Sequence, residues 1–275
     1  MPRLIRAALE RAQVEDAGRV SSGVDVVGDI AILRLDDFST REKKKVAKGI
    51  LEELRNVRVV LEQEGGIEGE FRLRKLHHLG GEKRTLTVHR ENGCSYKLDV
   101  AKCYFSPRLS TERLRIASAV KASDHVLNMF AGVGPFSIPM AKLKGAKVTS
   151  CELNRRAAEY HLENDRLNRV EELVEVVNAD ASDLPKTTKL RFDRVLMPLP
   201  SAADRYLSTA LAMARKGGTI YYYRHVLGKD EGEAAAALTA ELSTLLPKKA
   251  RFTTRRVREV GPRWVEMAAE IRAPG

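Results

Sequence analysis

Two glycines and two acidic residues between positions 132 and 180 have the types and spacing of a nucleotide-binding site. Gly132 and Gly134 follow the apolar pair Val126-Leu127, and glycine permits a tight turn where a side chain would block a ligand. Glu152 lies about 20 residues beyond them, where an acid at a strand end accepts hydrogen bonds from both ribose hydroxyls. Asp180 follows a further apolar stretch and is placed to meet the edge of an adenine.

The details of this pattern favour S-adenosylmethionine (SAM) over a nicotinamide dinucleotide. The turn reads G-x-G and lacks the third glycine of the dinucleotide fingerprint. A fourth apolar stretch, Phe192–Met197, ends in the proline loop Pro198-Leu199-Pro200. The order of glycine turn, ribose acid, adenine acid and proline loop is typical of SAM sites. The alternative is a doubly wound domain in which the acids only cap helices.

These residues need a parallel sheet whose strands end at one edge. From Ser123 to Ile271 the sequence alternates short apolar strands with helices, as a doubly wound sheet requires. The predicted strands are Lys147–Cys151, Leu173–Val177, Phe192–Met197, Thr219–Arg224 and Trp264–Ile271, and the predicted helices are Ser137–Leu143 and Glu231–Leu246. The sequence therefore predicts an α/β fold, with the Rossmann-like doubly wound sheet of a SAM-dependent methyltransferase over residues 116–275.

Residues 1–115 are predicted to form a small N-terminal α+β domain. Asn92-Gly93 is a strong hairpin signal between the strands Thr85–Glu91 and Ser95–Val100. Earlier in the domain, the patterns predict a strand pair or bulged strand over Val24–Leu35, a helix over Thr40–Leu54 and a strand over Val57–Leu61. The N-terminus is too charged for a signal peptide and predicts a short amphipathic helix.

Composition limits the class of protein. A chain of 275 residues is long enough for one large core or two small ones. Its three cysteines, at unrelated spacings, indicate neither a disulfide framework nor a zinc motif, and they favour a reducing cytoplasm. No apolar run reaches the roughly 18 residues of a membrane span, so no membrane partner is expected. The pair His77-His78 has no acid or cysteine at ligand spacing, and no metal is predicted.

The formal net charge of +11 is concentrated in two segments. Residues 67–115 hold 11 basic and 6 acidic side chains, and residues 248–275 hold 8 and 3. Basic segments that flank a catalytic pocket favour a polyanionic substrate such as nucleic acid. The alternative is a basic face that is merely solvated.

Glu112 lies near the end of the predicted small domain, between Arg108 and Arg113. It falls in the first turn of a helix for which Ser110 or Thr111 is a suitable cap. A carboxylate among arginines is normally a salt-bridge partner. At the mouth of a SAM pocket, the same carboxylate is able to accept a proton from a substrate. Both interpretations stay open on these residues alone.

Several longer motifs resemble one family, the archaeal and eukaryotic-type tRNA guanine-N1 methyltransferases that modify the purine 3′ of the anticodon. The resemblance covers roughly residues 20–271. It is carried by Val26–Leu33, Gly69–Arg72, Arg84–Gly93, Tyr104–Leu109, Glu112-Arg113 and Met129–Phe136.

This resemblance implies the reaction and its residues. Family members transfer a methyl group from SAM to N1 of guanosine at tRNA position 37, after the base has left its stack. By motif position, Glu112 is the implied general base and Arg72 the implied contact to the O6 side of the guanine. Cofactor contacts are implied for Phe130, Ala131, Gly132, Gly134, Glu152, Asn154, Asp180 and Arg108, and substrate contacts for Tyr104, Arg113, Pro198, Leu199 and Pro200. The implied partner is the anticodon stem-loop of tRNA.

Some features differ from the family pattern. Pro198 stands where members usually carry an asparagine that helps to hold the guanine, and proline has neither a side-chain amide nor a backbone N–H. Asn128 replaces a strand-end acid, and Glu259-Val-Gly-Pro262 replaces a Ser-Tyr-Ala-Pro stretch. The residues ahead of Val26 are too few for the elbow-binding module of longer members, so we expect a form without that N-terminal domain.

Two other functions are weighed against methylation. The enzyme of wybutosine synthesis that transfers the 3-amino-3-carboxypropyl group of SAM is similar in its two later domains. However, Arg108-Leu109 and Leu199-Pro200 are methyltransferase-like. The third reading is a catalytically impaired tRNA-binding homologue, and the presence of Arg72, Glu112 and the glycine turn is against it. With no heptad or large apolar stripe, we expect a monomer.

Overall fold

A computed structural model describes residue 10 and residues 23–274 of the chain. The amphipathic helix predicted at the N-terminus lies outside the described residues. The chain divides into two compact units, the first ending at Thr111 and the second beginning at Glu112. The sequence places this division after residue 115, so Glu112 belongs to the second unit and not to the first.

The first unit is built on a four-stranded sheet. In sheet order its strands are β1 (Asp25–Val27), β2 (Ile30–Leu33), β3 (Val59–Glu68) and β4 (Leu73–Gly81). Strands β2 and β3 are parallel, and the other two pairs are antiparallel. A parallel pair needs a crossover connection, which helix α1 (Thr40–Glu53) supplies. The predicted strand pair and helix are confirmed.

Helix α1 begins at a capping box and buries one face. Ser39 Oγ accepts the N–H of Glu42, and Glu42 Oε2 accepts the N–H of Ser39 at 2.8 Å. The core that the helix forms with the sheet comprises Ala31, Leu33, Leu35, Phe38, Val46, Ala47, Ile50, Val57 and Val60. Because these residues recur at helical and strand periods, this part of the fold is readable from the sequence.

A separate two-stranded hairpin follows. Strands β5 (Leu86–Glu91) and β6 (Cys94–Asp99) pair around Asn92 and Gly93, whose φ angles are +49° and +72°. Positive φ at both positions is what a tight hairpin turn requires, so the predicted hairpin is confirmed. Strand β4 is not predicted, because its side chains are half or fully exposed and give no apolar alternation.

The second unit alternates strands and helices. Helix α2 (Ser110–Ala119) leads into it directly from a 3-10 turn at Pro107–Leu109, so neither Ser110 nor Thr111 is its cap. The elements that follow are β7 (His125–Asn128), α3 (Ser137–Lys144), β8 (Lys147–Glu152), α4 (Arg155–Asn168), β9 (Val174–Asn178), α5 (Leu184–Thr187), β10 (Phe192–Met197), α6 (Ala203–Met213), β11 (Ala214–Leu227), α7 (Glu231–Leu245), β12 (Arg251–Gly261) and β13 (Trp264–Arg272).

These strands form one sheet in the order β12-β13-β11-β10-β7-β8-β9. The five strands from β11 to β9 are parallel, and β13 is antiparallel to both of its neighbours. The chain runs outward from β7 to β9 and then returns to β10 on the other side of β7. Ligands bind at such a reversal, outside the carboxyl ends of the strands. The doubly wound sheet predicted from the sequence is confirmed.

Alternate side chains of β11 point to opposite faces of the sheet, near its antiparallel end. Ile220, Tyr222 and Val226 lie in the main apolar core, whereas Tyr221 and Tyr223 point to the opposite face, as the strand period of two requires. Strand β12 is not predicted, because it is an arginine-rich edge strand without an apolar side. Among the described helices, none is long and apolar enough to cross a membrane.

Candidate cofactor and catalytic site

The glycine turn joins β7 to α3 at the carboxyl edge of the sheet. Gly132 and Gly134 have φ angles of +54° and +94°, in the region that favours glycine. The Ala131 N–H donates to the Cys151 carbonyl at 2.9 Å and ties the turn to β8. A Cβ on Gly134 would lie 2.6 Å from Cδ2 of His161 on α4. Gly134 is therefore required by helix packing, in addition to the ligand access that the sequence pattern predicts.

Glu152, at the end of β8, is held against this turn by backbone groups. Its Oε2 accepts the N–H of Gly132 at 2.6 Å, and its Oε1 accepts the N–H of Asn154 at 2.8 Å. Burial raises the pKa of the Glu152 carboxyl above its usual value, although these N–H donors oppose the shift. Because each carboxylate oxygen has two lone pairs, the group is also able to accept the two hydroxyls of a ribose.

Two further predicted cofactor residues cap helices. Asp180 Oδ1 accepts the N–H of Ser182 at 2.8 Å and caps a 3-10 turn. Asn154 Oδ1 accepts the N–H of Arg156 at 3.0 Å and caps α4. Capping uses one oxygen of Asp180, so its other oxygen is compatible with an adenine amino group. Since β8 and β9 are paired to their carboxyl ends, Glu152 and Asp180 lie at the ends of adjacent strands.

A buried polar network lies beneath the turn and explains Asn128. Asn128 Nδ2 donates to Ser137 Oγ at 3.0 Å, and Ser150 Oγ donates to the same oxygen at 2.8 Å. The three side chains are at most 1% exposed. A carboxylate at position 128 would bring a charge into this network and would not supply the donor that Ser137 receives.

The proline loop leaves the sheet beside the glycine turn. Strands β10 and β7 pair up to Leu196 and Asn128, and Pro198-Leu199-Pro200 begins two residues later. The ring of Phe130, in the turn, packs edge-on against Tyr206 of α6, with centroids 4.9 Å apart. This contact links the turn to the helix that follows the proline loop.

Behind the turn, α4 carries a buried pair that the sequence analysis did not identify. His161 Nε2 lies 3.5 Å from Asp165 Oδ1, and the two side chains are 0% and 2% exposed. Burial lowers the pKa of His161 to about 3. Burial, with a smaller effect of Glu171, raises the pKa of Asp165 to about 7. Asn164 on the same helix donates to the Val133 carbonyl at 3.0 Å, so this helix face positions the turn.

Glu112 lies in the first turn of α2, is 5% exposed, and is surrounded by donors. Its Oε1 accepts Tyr223 Oη–H at 2.5 Å and Arg115 Nη2–H at 3.1 Å. Its Oε2 accepts Arg115 Nε–H at 3.1 Å and is in ion-pair contact with Arg255. A carboxylate has about four lone-pair sites, so these donors occupy the positions that a substrate proton would take.

Strand register brings this cluster together. Tyr223 on β11 pairs with Ala268 on β13, and Ala268 pairs with Arg255 on β12. The three side chains therefore lie in one row on one face of the sheet. Because Ala268 ends at its methyl group, the two longer side chains reach Glu112 across it. Burial and the charge of Glu112 raise the pKa of Tyr223 well above its usual value of 10, so the phenol stays a donor.

Sequence reasoning missed these partners of Glu112. Tyr223 is 111 residues away along the chain, and no spacing rule joins it to Glu112. One signal was present: a run of three tyrosines, Tyr221–Tyr223, in a buried strand. Buried phenol groups need hydrogen-bond partners, so such a run indicates polar groups packed over the strand.

In the first unit, Arg72 and Tyr104, which are both implied to contact the substrate, lie together. The guanidinium carbon of Arg72 is 4.7 Å from the centre of the Tyr104 ring, a cation–π contact. Arg72 has φ of +54°, and a non-glycine residue held in this region is a common feature of functional sites. Arg108 donates from Nε to Asp25 Oδ1 at 2.7 Å, and the same carboxylate also accepts Arg74, so two cations share one counterion.

One implied substrate residue needs correction. Arg113 is 2% exposed, and a side chain so deeply buried is not available to contact RNA.

His77 Nε2 lies 2.6 Å from Glu64 Oε2, which is a solvent-exposed pair. In the part of the chain that the structure describes, no group of three His, Cys, Asp or Glu residues is arranged to hold a metal ion.

Two protein-family models match successive parts of the chain. The model of the TRM5/TYW2 methyltransferase domain matches residues 87–236, and the model of the TYW2 N-terminal domain matches residues 5–85. The fold and the resemblance expected from the sequence are confirmed.

Three known proteins are similar over most of the chain. The tRNA (guanine(37)-N(1))-methyltransferase Trm5b of Pyrococcus abyssi (strain GE5 / Orsay) is 42% identical over 72% of this chain. This chain spans only 58% of the length of that relative. The tRNA 4-demethylwyosine(37)-methyltransferase Taw21 of Saccharolobus solfataricus (strain ATCC 35092 / DSM 1617 / JCM 11322 / P2) is 32% identical over 95% of this chain and 97% of its own length. A solved complex of aTrm5 and tRNALeu matches 98% of this chain and 78% of that chain, with a TM-score of 0.84 at 34% identity.

Proposed function

Because the chain belongs to the TRM5/TYW2 methyltransferase family, we propose that it uses SAM to methylate N1 of guanosine at position 37 of tRNA. One observation carries this proposal. The Glu152 carboxylate accepts the N–H of Gly132 at the point where the strand order of the sheet reverses. That arrangement has the chemistry of a ribose site beside a glycine turn, and the P. abyssi relative is named for this reaction.

The residues at the carboxyl edge of the sheet would hold the cofactor. Glu152 would accept the ribose hydroxyls and Asp180 the adenine amino group, while the backbone of Phe130–Gly134 lines the remaining edge. SAM, when bound, supplies a methyl group on a positively charged sulfur. The task of the chain is then to place this carbon in line with the attacking nitrogen, which is an entropic contribution to the rate.

The nucleophile needs help from the protein because guanine N1 carries a proton at neutral pH. Removing this proton places negative charge on N1 and O6. In the proposal, Arg72 stabilises the charge on O6 as it develops, an effect worth on the order of a few kcal/mol. Glu112 accepts the N1 proton, which typically contributes roughly 10²–10⁴-fold to the rate.

To accept that proton, Glu112 must first lose one of its four donor contacts. Arg115 holds both carboxylate oxygens and also donates to Glu270 at 2.6 Å, so it is firmly fixed. Arg255 is held less well. Its Nε and Nη2 atoms are buried without a hydrogen bond of normal geometry, although Nη2 is in ion-pair contact with Glu112. We propose that Arg255 is the donor that leaves Glu112, because an RNA phosphate would attract its guanidinium group.

The proposed partner is the anticodon stem-loop of tRNA. The basic segment 248–275 falls mainly on the edge strand β12, on β13 and on the turn between them, where Arg251, Arg256 and Arg263 are exposed. Neutralising phosphates with these cations would release counterions, so log affinity should fall linearly with log salt. A flat salt dependence would mean that the charge is only a solvated surface.

A second candidate is methylation of a tricyclic purine at the same position. The S. solfataricus relative is named for 4-demethylwyosine, and its length matches this chain almost completely. The match of residues 5–85 to the TYW2 N-terminal domain also favours a wybutosine-pathway substrate. Transfer of the aminocarboxypropyl group is less favoured, because Arg108-Leu109 and Leu199-Pro200 are methyltransferase-like.

Parallel assays distinguish these reactions. SAM labelled in the methyl group and SAM labelled in the carboxypropyl group would each be incubated with two substrates. The substrates are a tRNA transcript with guanosine 37 and tRNA that carries 4-demethylwyosine. Methyl transfer to the transcript supports the proposal, and methyl transfer to the tricyclic base alone supports the second candidate. Carboxypropyl transfer, or no transfer with tight RNA binding, would overturn both.

A further inference from the structure

Tyr223 is the phenol of β11 that bonds a residue of the proposed reaction. The three consecutive tyrosines of this strand, Tyr221–Tyr223, are each at most 1% exposed. Tyr223 Oη donates to Glu112 Oε1 at 2.5 Å, and the bond is buried in the second unit. A hydroxyl that donates to a carboxylate at this distance makes a strong, charge-assisted hydrogen bond. Because burial and the charge of Glu112 raise the pKa of Tyr223 well above its usual value, the phenol keeps its proton at neutral pH.

The ring of Tyr223 is held from the side of the glycine turn. Its centre lies 6.2 Å from the centre of the Phe136 ring, and the two planes are inclined by 52°. Phe136 is 4% exposed and caps α3, two positions beyond Gly134. Tilted aromatic pairs at such a distance pack favourably. Tyr223 therefore carries its hydroxyl at a fixed position relative to the turn that is proposed to hold the cofactor.

The two oxygens of Glu112 are held unequally. Oε1 accepts Tyr223 Oη–H and Arg115 Nη2–H. Oε2 accepts Arg115 Nε–H and is in ion-pair contact with Arg255. Both donors to Oε1 are anchored, Tyr223 by its ring contact and Arg115 by a second carboxylate. An RNA phosphate attracts a guanidinium group and not a neutral phenol, so the departure of Arg255 would free a lone pair on Oε2 alone.

We propose that Tyr223 is a positioning residue for methyl transfer, which fixes Glu112 Oε1 and so makes Oε2 the oxygen that takes the substrate proton. The inference rests on the proposed function in taking Glu112 as the general base. In this step the N1 proton of the guanine passes to Oε2, and its electron pair remains on N1. Glu112 becomes neutral, while Tyr223 keeps its own proton.

Removing the hydroxyl of Tyr223 tests this role through the pH dependence of the rate. The groups that face Glu112 are Arg115 on α2, Tyr223 on β11 and Arg255 on β12, with Glu270 on β13 behind Arg115. Among them Tyr223 is neutral, so Tyr223→Phe removes a donor without changing the charge. Since a donor favours the ionised form of a carboxylate, the acid limb of the pH–rate profile should move upward by about one pH unit. The plateau should fall by up to roughly 100-fold, because Oε1 is less firmly placed.

Tyr222→Phe is the matched control. It removes a hydroxyl from the next residue of the same strand, but that hydroxyl donates to Glu241 Oε1 at 2.8 Å in the main core, on the opposite face of the sheet. Both variants lose one buried hydrogen bond, so thermal melts should show similar losses of stability. Tyr222→Phe should leave the single-turnover rate and its pH midpoint at wild-type values.

Single-turnover methyl transfer to a tRNA transcript with guanosine 37 would be measured against pH for both phenylalanine variants, for Glu112→Gln and for the Glu112→Gln/Tyr223→Phe double variant. Tyr223→Phe should slow the wild type but not Glu112→Gln, whose side chain no longer takes the proton. An unchanged midpoint in Tyr223→Phe, or an equal fall in both backgrounds, would show a merely structural role, and the proposed function would stand. If Glu112→Gln transfers at the full rate, the general base and the role of Tyr223 fail together.

Discussion

Two carboxylates of the second unit, Glu152 and Glu112, are stabilised in opposite ways. Glu152 accepts backbone N–H groups from Gly132 and Asn154, which no side-chain substitution removes. Glu112 accepts only side-chain donors, from a tyrosine and two arginines on different elements. The first environment is fixed by the turn itself. The environment of Glu112 is made of side chains that are able to move away one at a time. Such an environment would suit a carboxylate that must exchange a hydrogen-bond donor for a substrate proton.

The electrostatic consequence also differs between the two groups. Burial raises the pKa of Glu152 above its usual value, so its ionised form is less favoured than in water, although backbone N–H groups oppose the shift. Glu112 is compensated by two guanidinium groups, and removing its charge would leave Arg255 without this counterion, whereas Arg115 would keep Glu270. The comparison therefore predicts binding defects at Glu152 and rate defects at Glu112.

The largest effect is expected for Glu112→Gln. Glutamine keeps the shape but does not accept a proton at neutral pH, so single-turnover methyl transfer should fall by roughly 10²-fold or more. SAM and RNA affinities should change little, and both can be measured by calorimetry. Glu270→Gln is the matched control, because Glu270 also bonds Arg115 but does not touch Glu112. A full wild-type rate in Glu112→Gln would remove the general base from the proposal.

A third carboxylate, that of Asp165, has no hydrogen-bond donor among the described residues. Its folded pKa of about 7 lies above the ordinary 3.8, so the stability it contributes is present below about pH 4 and is lost as pH rises through 7. The difference between these two pKa values corresponds to roughly 4 kcal/mol of stability at most. Asp165→Asn should therefore raise the free energy of unfolding by roughly 2–4 kcal/mol at about pH 8, and by little near pH 4.

Denaturant titrations at several pH values would measure this effect. Glu159→Gln on the exposed side of the same helix is the control, since Glu159 pairs only with surface arginines and its substitution should change stability little at any of these pH values. An Asp165→Asn variant that was less stable than the wild type at about pH 8 would show that the carboxylate has a favourable partner.

For Glu152, the comparison predicts a loss of binding and not of fold. Glu152→Ala should weaken SAM affinity by about 1–3 kcal/mol, the scale of charge-assisted hydrogen bonds. The variant also removes the acceptor of the Gly132 and Asn154 N–H groups, so its melting temperature should fall modestly while the protein stays folded at neutral pH. Calorimetry and a thermal melt test the two parts separately. An unchanged SAM affinity would remove Glu152 from the site.

The same contrast explains how much of the site was predictable. The glycine turn, Glu152 and Asp180 follow strands that are recognisable from local patterns, so their positions could be inferred from the sequence. Tyr223 and Arg255 reach Glu112 only through the pairing of β11, β13 and β12, and sequence spacing contains no trace of that register. The strands that were missed, β4 and β12, are exposed and lack the apolar alternation that defines a buried strand.

The smallest and most discriminating effect is expected at two adjacent arginines of β12. Arg255→Met and Arg256→Met remove the same charge, but only Arg255 contacts Glu112, since Arg256 pairs with Glu259. In a variant that neutralises one phosphate fewer, the slope of log RNA affinity against log salt concentration should be smaller in magnitude by about one. If Arg255 occupies a lone pair that the substrate proton needs, Arg255→Met should keep or raise the saturated single-turnover rate, whereas Arg256→Met should leave it unchanged. A large fall in that rate for Arg255→Met alone would mean that Arg255 holds Glu112 in its working position, and that the Glu112 environment is as fixed as that of Glu152.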